Sequence, residues 1–165
     1  MHFTANGSKL DYTFIDFCDW TSNNRRNKPV LQMLMEYLVG RNLSCVRETN
    51  KAVGDGIFSI QRLFNGKSVA VRTASYVESL SQDHPDWIAF DISGDTIPDV
   101  FVFCVNRSMD AFSIPTNLDV WDFYVLPGPI LAQFKLADLI TLPALLLLQP
   151  VQCDFNGIPQ AVESV

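Results

Sequence analysis

The chain has 165 residues, 12 Lys+Arg, 18 Asp+Glu and a formal net charge of −6, the length of one ordinary domain able to bury a core without disulfide or metal staples. With 48% hydrophobic, 12% aromatic and 18% charged residues, it is excluded from the disordered and collagen-like classes and reads as a folded α/β or α+β protein. The most apolar run, residues 139–148 (LITLPALLLL), is interrupted by Pro143 and is shorter than the roughly 20 residues needed to cross a bilayer. Residues 1–12 lack a basic start followed by an apolar stretch. These features predict a cytoplasmic protein with no membrane partner.

Residues 11–20 (DYTFIDFCDW) read as a short strand or a packed aromatic arm, followed by a polar loop. Pro29 suits a first helical turn, and Val30, Leu31, Leu34, Tyr37 and Leu38 repeat at helical spacing until Gly40, which predicts a helix over that span. A strand is expected over residues 43–49. Residues 57–64 and 67–75 flank Asn65-Gly66, a dipeptide that favours the left-handed angles of a two-residue hairpin loop. Further strands are expected at 87–92, 100–105 and 120–126. Residues 130–148 supply one or two short helices broken near Pro143, and the tail from Pro150 reads as irregular. No repeat or interdomain linker interrupts the chain, so residues 1–165 form one domain, with a helical segment and tail at 137–165.

Charge is unevenly divided. Residues 1–75 carry ten Lys/Arg against six acids, a local charge of +4, whereas the remainder has Arg107 and Lys135 against twelve acids, −10. A sequence pI near 4.7 opposes tight, sequence-independent nucleic-acid binding, which draws its energy from clustered cations, while the basic first half leaves a nucleic-acid contact open. Cys18, Cys45, Cys104 and Cys153 stand singly with no CxxC pair, so Cys45 and Cys104 read as buried reduced thiols. His2 and His84 lie in polar surroundings with no nucleophile motif nearby. Asp91, Asp95 and Asp99 read as loop and strand-end residues.

A helix, a strand, a tight hairpin and later strands worded WIAFDI, PDVFVFCV and DFYVLPG resemble the PD-(D/E)xK restriction-endonuclease-like superfamily over residues 25–136. The resemblance implies a mixed central β-sheet bearing the hairpin and flanked by helices. It also implies a site in which an Asp on the first hairpin strand and an acid or Gln two residues before a Lys on the second hold a divalent metal. That metal would position water for phosphodiester hydrolysis; clustered negative charge holds Mg²⁺ or Mn²⁺, and a cation helps orient the nucleophile.

Hairpin parity tests this expectation. With Asn65-Gly66 as the loop, Gln61 lies opposite Ala70, Ser59 opposite Arg72 and Ile57 opposite Ala74. Phe58, Ile60, Val69 and Val71 then form a core face, and Ile57, Ser59, Gln61, Ala70, Arg72 and Ala74 form the face where metal ligands belong. Ala70 stands at the acid position and Arg72 at the Lys position. Arginine is a poor proton-handling substitute because its guanidinium stays charged. Asp55 shares that parity but lies about 13 Å along the strand from Ser59, and a bulge at Gly54 or Gly56 would bring it nearer. Glu36 and Glu48 are the further candidate carboxylates.

Two readings therefore lead. One is a nuclease-like domain that has lost its catalytic set, uses no cofactor and acts by binding protein or by self-assembly. The other is a metal-dependent nuclease with Asp55, Glu36 and Glu48 around Mg²⁺ or Mn²⁺, and Arg72 and Gln61 at the phosphate. A third is an unrelated α+β interaction protein.

Overall fold

The computed structural model describes residues 1–23, 29–44, 57–60, 66–76, 88–94, 97–109, 116–134 and 138–165. The first elements are β1 (His2–Ala5) and β2 (Ser8–Thr13), an antiparallel hairpin closed by Asn6-Gly7 with φ of 51° and 70°. Both values are left-handed, the conformation Asn-Gly adopts at least cost. Helix α1 (Phe14–Asn23) follows directly, its start fixed by a reciprocal cap: Thr13 N donates to Asp16 Oδ2 at 2.6 Å and Asp16 N to Thr13 Oγ1 at 3.3 Å. The expected strand or arm at 11–20 is thus the end of a strand and most of a helix.

Helix α2 (Val30–Asn42) begins after Pro29; of the residues at the expected spacing, Leu34, Tyr37 and Leu38 are buried, Leu31 is half-buried and Val30 is exposed, and Met35 and Val39 are buried as well. Gly40 is buried inside it rather than ending it. The strand expected at 43–49 begins instead with turn residues at 43–44, and its remainder lies outside the described residues. Next come β3 (Ile57–Ile60), β4 (Lys67–Ser75), β5 (Ala89–Asp91), β6 (Val100–Asn106), a 3-10 turn (Leu118–Val120) and β7 (Trp121–Pro127). Helix α3 (Gly128–Phe134), β8 (Leu139–Thr141), α4 (Leu142–Leu147), β9 (Val151–Cys153) and α5 (Ile158–Ser164) complete the order. Pro143 lies in the first turn of α4, where its missing N–H costs nothing, so it starts a helix instead of breaking one. The tail past Pro150, expected to be irregular, forms β9 and α5. Lys67 Nζ donates to Val162 O and Val165 O, and Asn42 Nδ2 to Phe155 O, tying the tail to β4 and α2.

The protein is a mixed α+β fold. Its five-stranded sheet has the order β3-β4-β6-β7-β9, with β4 and β6 parallel and the other neighbours antiparallel. Alternation along the strands builds two cores. Val69, Val71, Val100, Val102, Cys104, Phe123 and Val125 face α1, α2, α5 and β1; Ala70, Ala74, Phe101, Phe103, Val105, Tyr124 and Leu126 face α3, α4 and the β5–β8 ribbon. Strand β6, between β4 and β7, is buried along its whole length, as its unbroken apolar wording demands.

The β3–β4 hairpin exists, but its register is not the expected one. Ile57 pairs with Ala70 and Ile60 with Lys67, a shift of four residues from the expected register. An even shift keeps every residue on its face, so burial does not distinguish the two registers. The parallel register is clamped at its start. Ser68 N and Oγ donate to Asp99 Oδ2 at 2.7 and 3.0 Å, and Asp99 N donates to Ser68 Oγ at 3.0 Å, next to the Val69–Val100 pair.

Candidate functional site

Of the candidate residues, Arg72 lies on β4 and Glu36 on the helix packed against it. Beyond Ala70, β4 runs past the described pairs with β3. There the carboxamide of Gln32 on α2 takes up its backbone. Gln32 Nε2 donates to Val71 O at 2.8 Å, and Gln32 Oε1 accepts from Thr73 N and Thr73 Oγ1, each at 3.0 Å. A carbonyl before Arg72 and an N–H after it are the two groups a parallel strand would bond, so the side-chain amide substitutes for one residue of a neighbouring strand. Gln32 Nε2 also donates to Glu36 Oε1 at 2.8 Å, one helical turn on. With two bonds donated and two accepted, the carboxamide is fully used.

Glu36 is 2% exposed, beneath α2 on the Val71 side of the sheet. It accepts from Gln32, so its carboxylate forms part of the joint between α2 and β4. Arg72 stands on the other side. Its guanidinium lies 5.9 Å from the centre of the Phe101 ring, and its Nη1 donates to Val71 O at 2.9 Å. The cation is thus held over an aromatic face and against its own strand. Arg72 does share the face of Ala70 and Ala74, as parity requires, whereas Glu36 packs on the opposite core. They are linked through the Val71 carbonyl oxygen, which accepts from both Gln32 Nε2 and Arg72 Nη1.

Asp55, Glu48 and Gln61 lie outside the described residues. The pairing that put Gln61 opposite Ala70 and Ser59 opposite Arg72 is replaced by Ile57 with Ala70 and Ser59 with Ser68. Among the described residues, no group of three or more His, Cys, Asp or Glu is arranged to hold a metal ion.

The carboxylates of Asp16, Asp99, Asp119 and Asp154 serve turns, caps and a strand junction. Asp99 accepts from Ser68, and the backbone bond, then the side-chain bond, holds its carboxyl below the ordinary range. Asp16 is lowered first by the Thr13 hydroxyl. Asp154 is lowered first by Asn6 Nδ2 at 2.9 Å and then by Gly157 N at 2.7 Å. Asp119 Oδ1 accepts Asn6 N at 2.6 Å, so two acids distant in sequence meet at the Asn6-Gly7 turn. Nothing in local spacing announces that meeting, whereas Gln32 and Glu36, a polar i, i+4 pair on a helix buried against the sheet, carry a readable signal. Of the cysteines, Cys104 is buried and its thiol pushed well up; burial raises Cys153 to about 11. Neither has the lowered pKa of a nucleophile.

The chain matches no protein-family model, no curated protein and no solved structure. Among the described residues, no helix is long and apolar enough to cross a membrane.

Proposed function

We propose that this chain is a protein of nuclease-like architecture whose catalytic set has been lost, and that it acts by binding protein, with a second copy of itself as the first partner to test. The observation that carries the binding reading is a surface one. Residues 139–153 contain no charged side chain, and they present Leu139, Leu146 and Leu147 to solvent at 62%, 46% and 83% exposure. Within α4, Leu145 is buried in the second core while its neighbours Leu146 and Leu147 point away from it. Contiguous exposed apolar surface marks contact sites on proteins. Support for the lost catalytic set comes from β4, where the positions of the family's acid and lysine hold a buried Ala70 and an Arg72 engaged with Phe101.

Sedimentation of the full chain across a range of concentrations tests the proposal. The wild type is expected to associate, and Leu147→Glu to weaken association at least about tenfold, a loss of about 1.4 kcal/mol, while leaving the circular dichroism spectrum intact. A wild type that stays monomeric at every concentration contradicts self-assembly.

A further inference from the structure

Among the described residues, the buried polar or charged side chains are Glu36, Ser75 and Asn106. Two of these stand together. Ser75 ends β4 and pairs with Asn106 at the end of β6, and Asn106 pairs with Trp121 at the start of β7. Their parity is that of Val71, Val102 and Phe123, so the three form one row across the sheet on its α2 face. The row lies at the carboxyl ends of the parallel pair β4 and β6, the end at which open α/β sheets receive ligands.

Trp121 is 3% exposed, and its buried Nε1–H donates to nothing among the described residues. A buried donor without an acceptor is unfavourable, and in native proteins such a group calls for a water or a ligand. Asn106 beside it is oriented, because its Oδ1 accepts from Ser108 N at 2.9 Å. An indole N–H can only donate, which excludes a cation as its partner. An anion would need a compensating positive charge, and no member of the row carries one. The neighbouring Arg107 is already engaged, its Nε 3.2 Å from Asp122 and its Nη2 donating to Asp119 O at 2.7 Å.

We infer that the row Ser75, Asn106 and Trp121 holds an uncharged acceptor oxygen, bonded by Trp121 Nε1 and flanked by the Asn106 carboxamide. Such an oxygen comes either from a resident water or from the carbonyl of a small neutral ligand, and one experiment separates the sources. In the ¹⁵N-labelled full chain, the Trp121 indole signal is identified by its loss in Trp121→Phe. If that variant does not fold, elimination with Trp20→Phe and Trp87→Phe identifies it instead.

A resident water gives a cross-relaxation peak between Trp121 Hε1 and water that acetamide leaves unchanged. A carbonyl site gives a saturable shift of the same signal on titration with acetamide, and Asn106→Ala weakens that titration. An indole signal with neither a water cross-peak nor a saturable acetamide shift would overturn the inference.

Discussion

Single residues in this protein are fixed by contacts that leave no room for alternatives, and Gly128 is the sharpest case. It follows β7 at the start of α3 and is buried, and its N–H donates to Asp99 O at 2.8 Å. A Cβ there would fall 1.7 Å from the carbonyl oxygen of Pro98, a backbone atom that cannot swing aside. Gly128→Ala must therefore push apart two segments that meet beside the first β4–β6 pair. The expected cost is about 3 kcal/mol or more, read as a lowered midpoint in urea denaturation; an unchanged midpoint would contradict the close approach. In the sequence this glycine looks like part of a Pro-Gly-Pro turn signal. Nothing local shows that its missing side chain serves a contact with a carbonyl 30 residues earlier.

Elements follow the sequence where one period dominates and depart from it where pairing decides. Strands β4, β6 and β7 and helix α2 were legible because long apolar runs or helical spacing specify burial without reference to a partner. The short β8 and β9 were not, since three residues carry no period and exist by pairing with β5 and β7. Two of the three Asn-Gly dipeptides show the same limit. Asn6-Gly7 closes a two-residue hairpin between strands of mixed pattern, whereas Gly66, also left-handed at φ 76°, precedes a strand that is paired four residues away from the expected register. The dipeptide reports turn conformation, but the register comes from what the strands bond. Gln32 is the element-scale device that follows from this, a helix side chain standing in for a strand on β4. Gln32→Ala leaves Val71 O and Thr73 N without that partner and is expected to cost about 2 kcal/mol. Gln32→Glu replaces a donor with an acceptor facing Glu36 Oε1 and Val71 O, and is expected to cost more. Urea midpoints rank the two, and equal stability of Gln32→Glu and wild type would contradict the bridge.

At the scale of the whole molecule, the sheet stands between two cores, and local spacing says nothing of which core receives each helix. Parity correctly put Arg72 on the face of Ala70 and Ala74, but no sequence rule assigns α2, and with it Glu36, to one side of the sheet. Asp16, Asp99 and Asp154 hold strands, helices and turns together through hydrogen bonds that lower their pKa values. A carboxyl lowered in the folded state contributes stability above its unfolded pKa of about 3.9, and that contribution disappears as pH falls through the folded value. The melting temperature is therefore expected to fall as pH drops from about 5 to about 2. Asp99→Asn should show a shallower fall, because its contribution is already gone at neutral pH; an identical slope would contradict the role of the Ser68–Asp99 clamp.

The central proposal is that this chain works by association and not by metal-dependent hydrolysis, and calorimetric titration of Mn²⁺ into the full chain, alongside Asp55→Ala, tests it most directly. The account predicts no saturable heat in either protein. A stoichiometric isotherm in the wild type that vanishes in Asp55→Ala would contradict it and restore a metal site built around that aspartate.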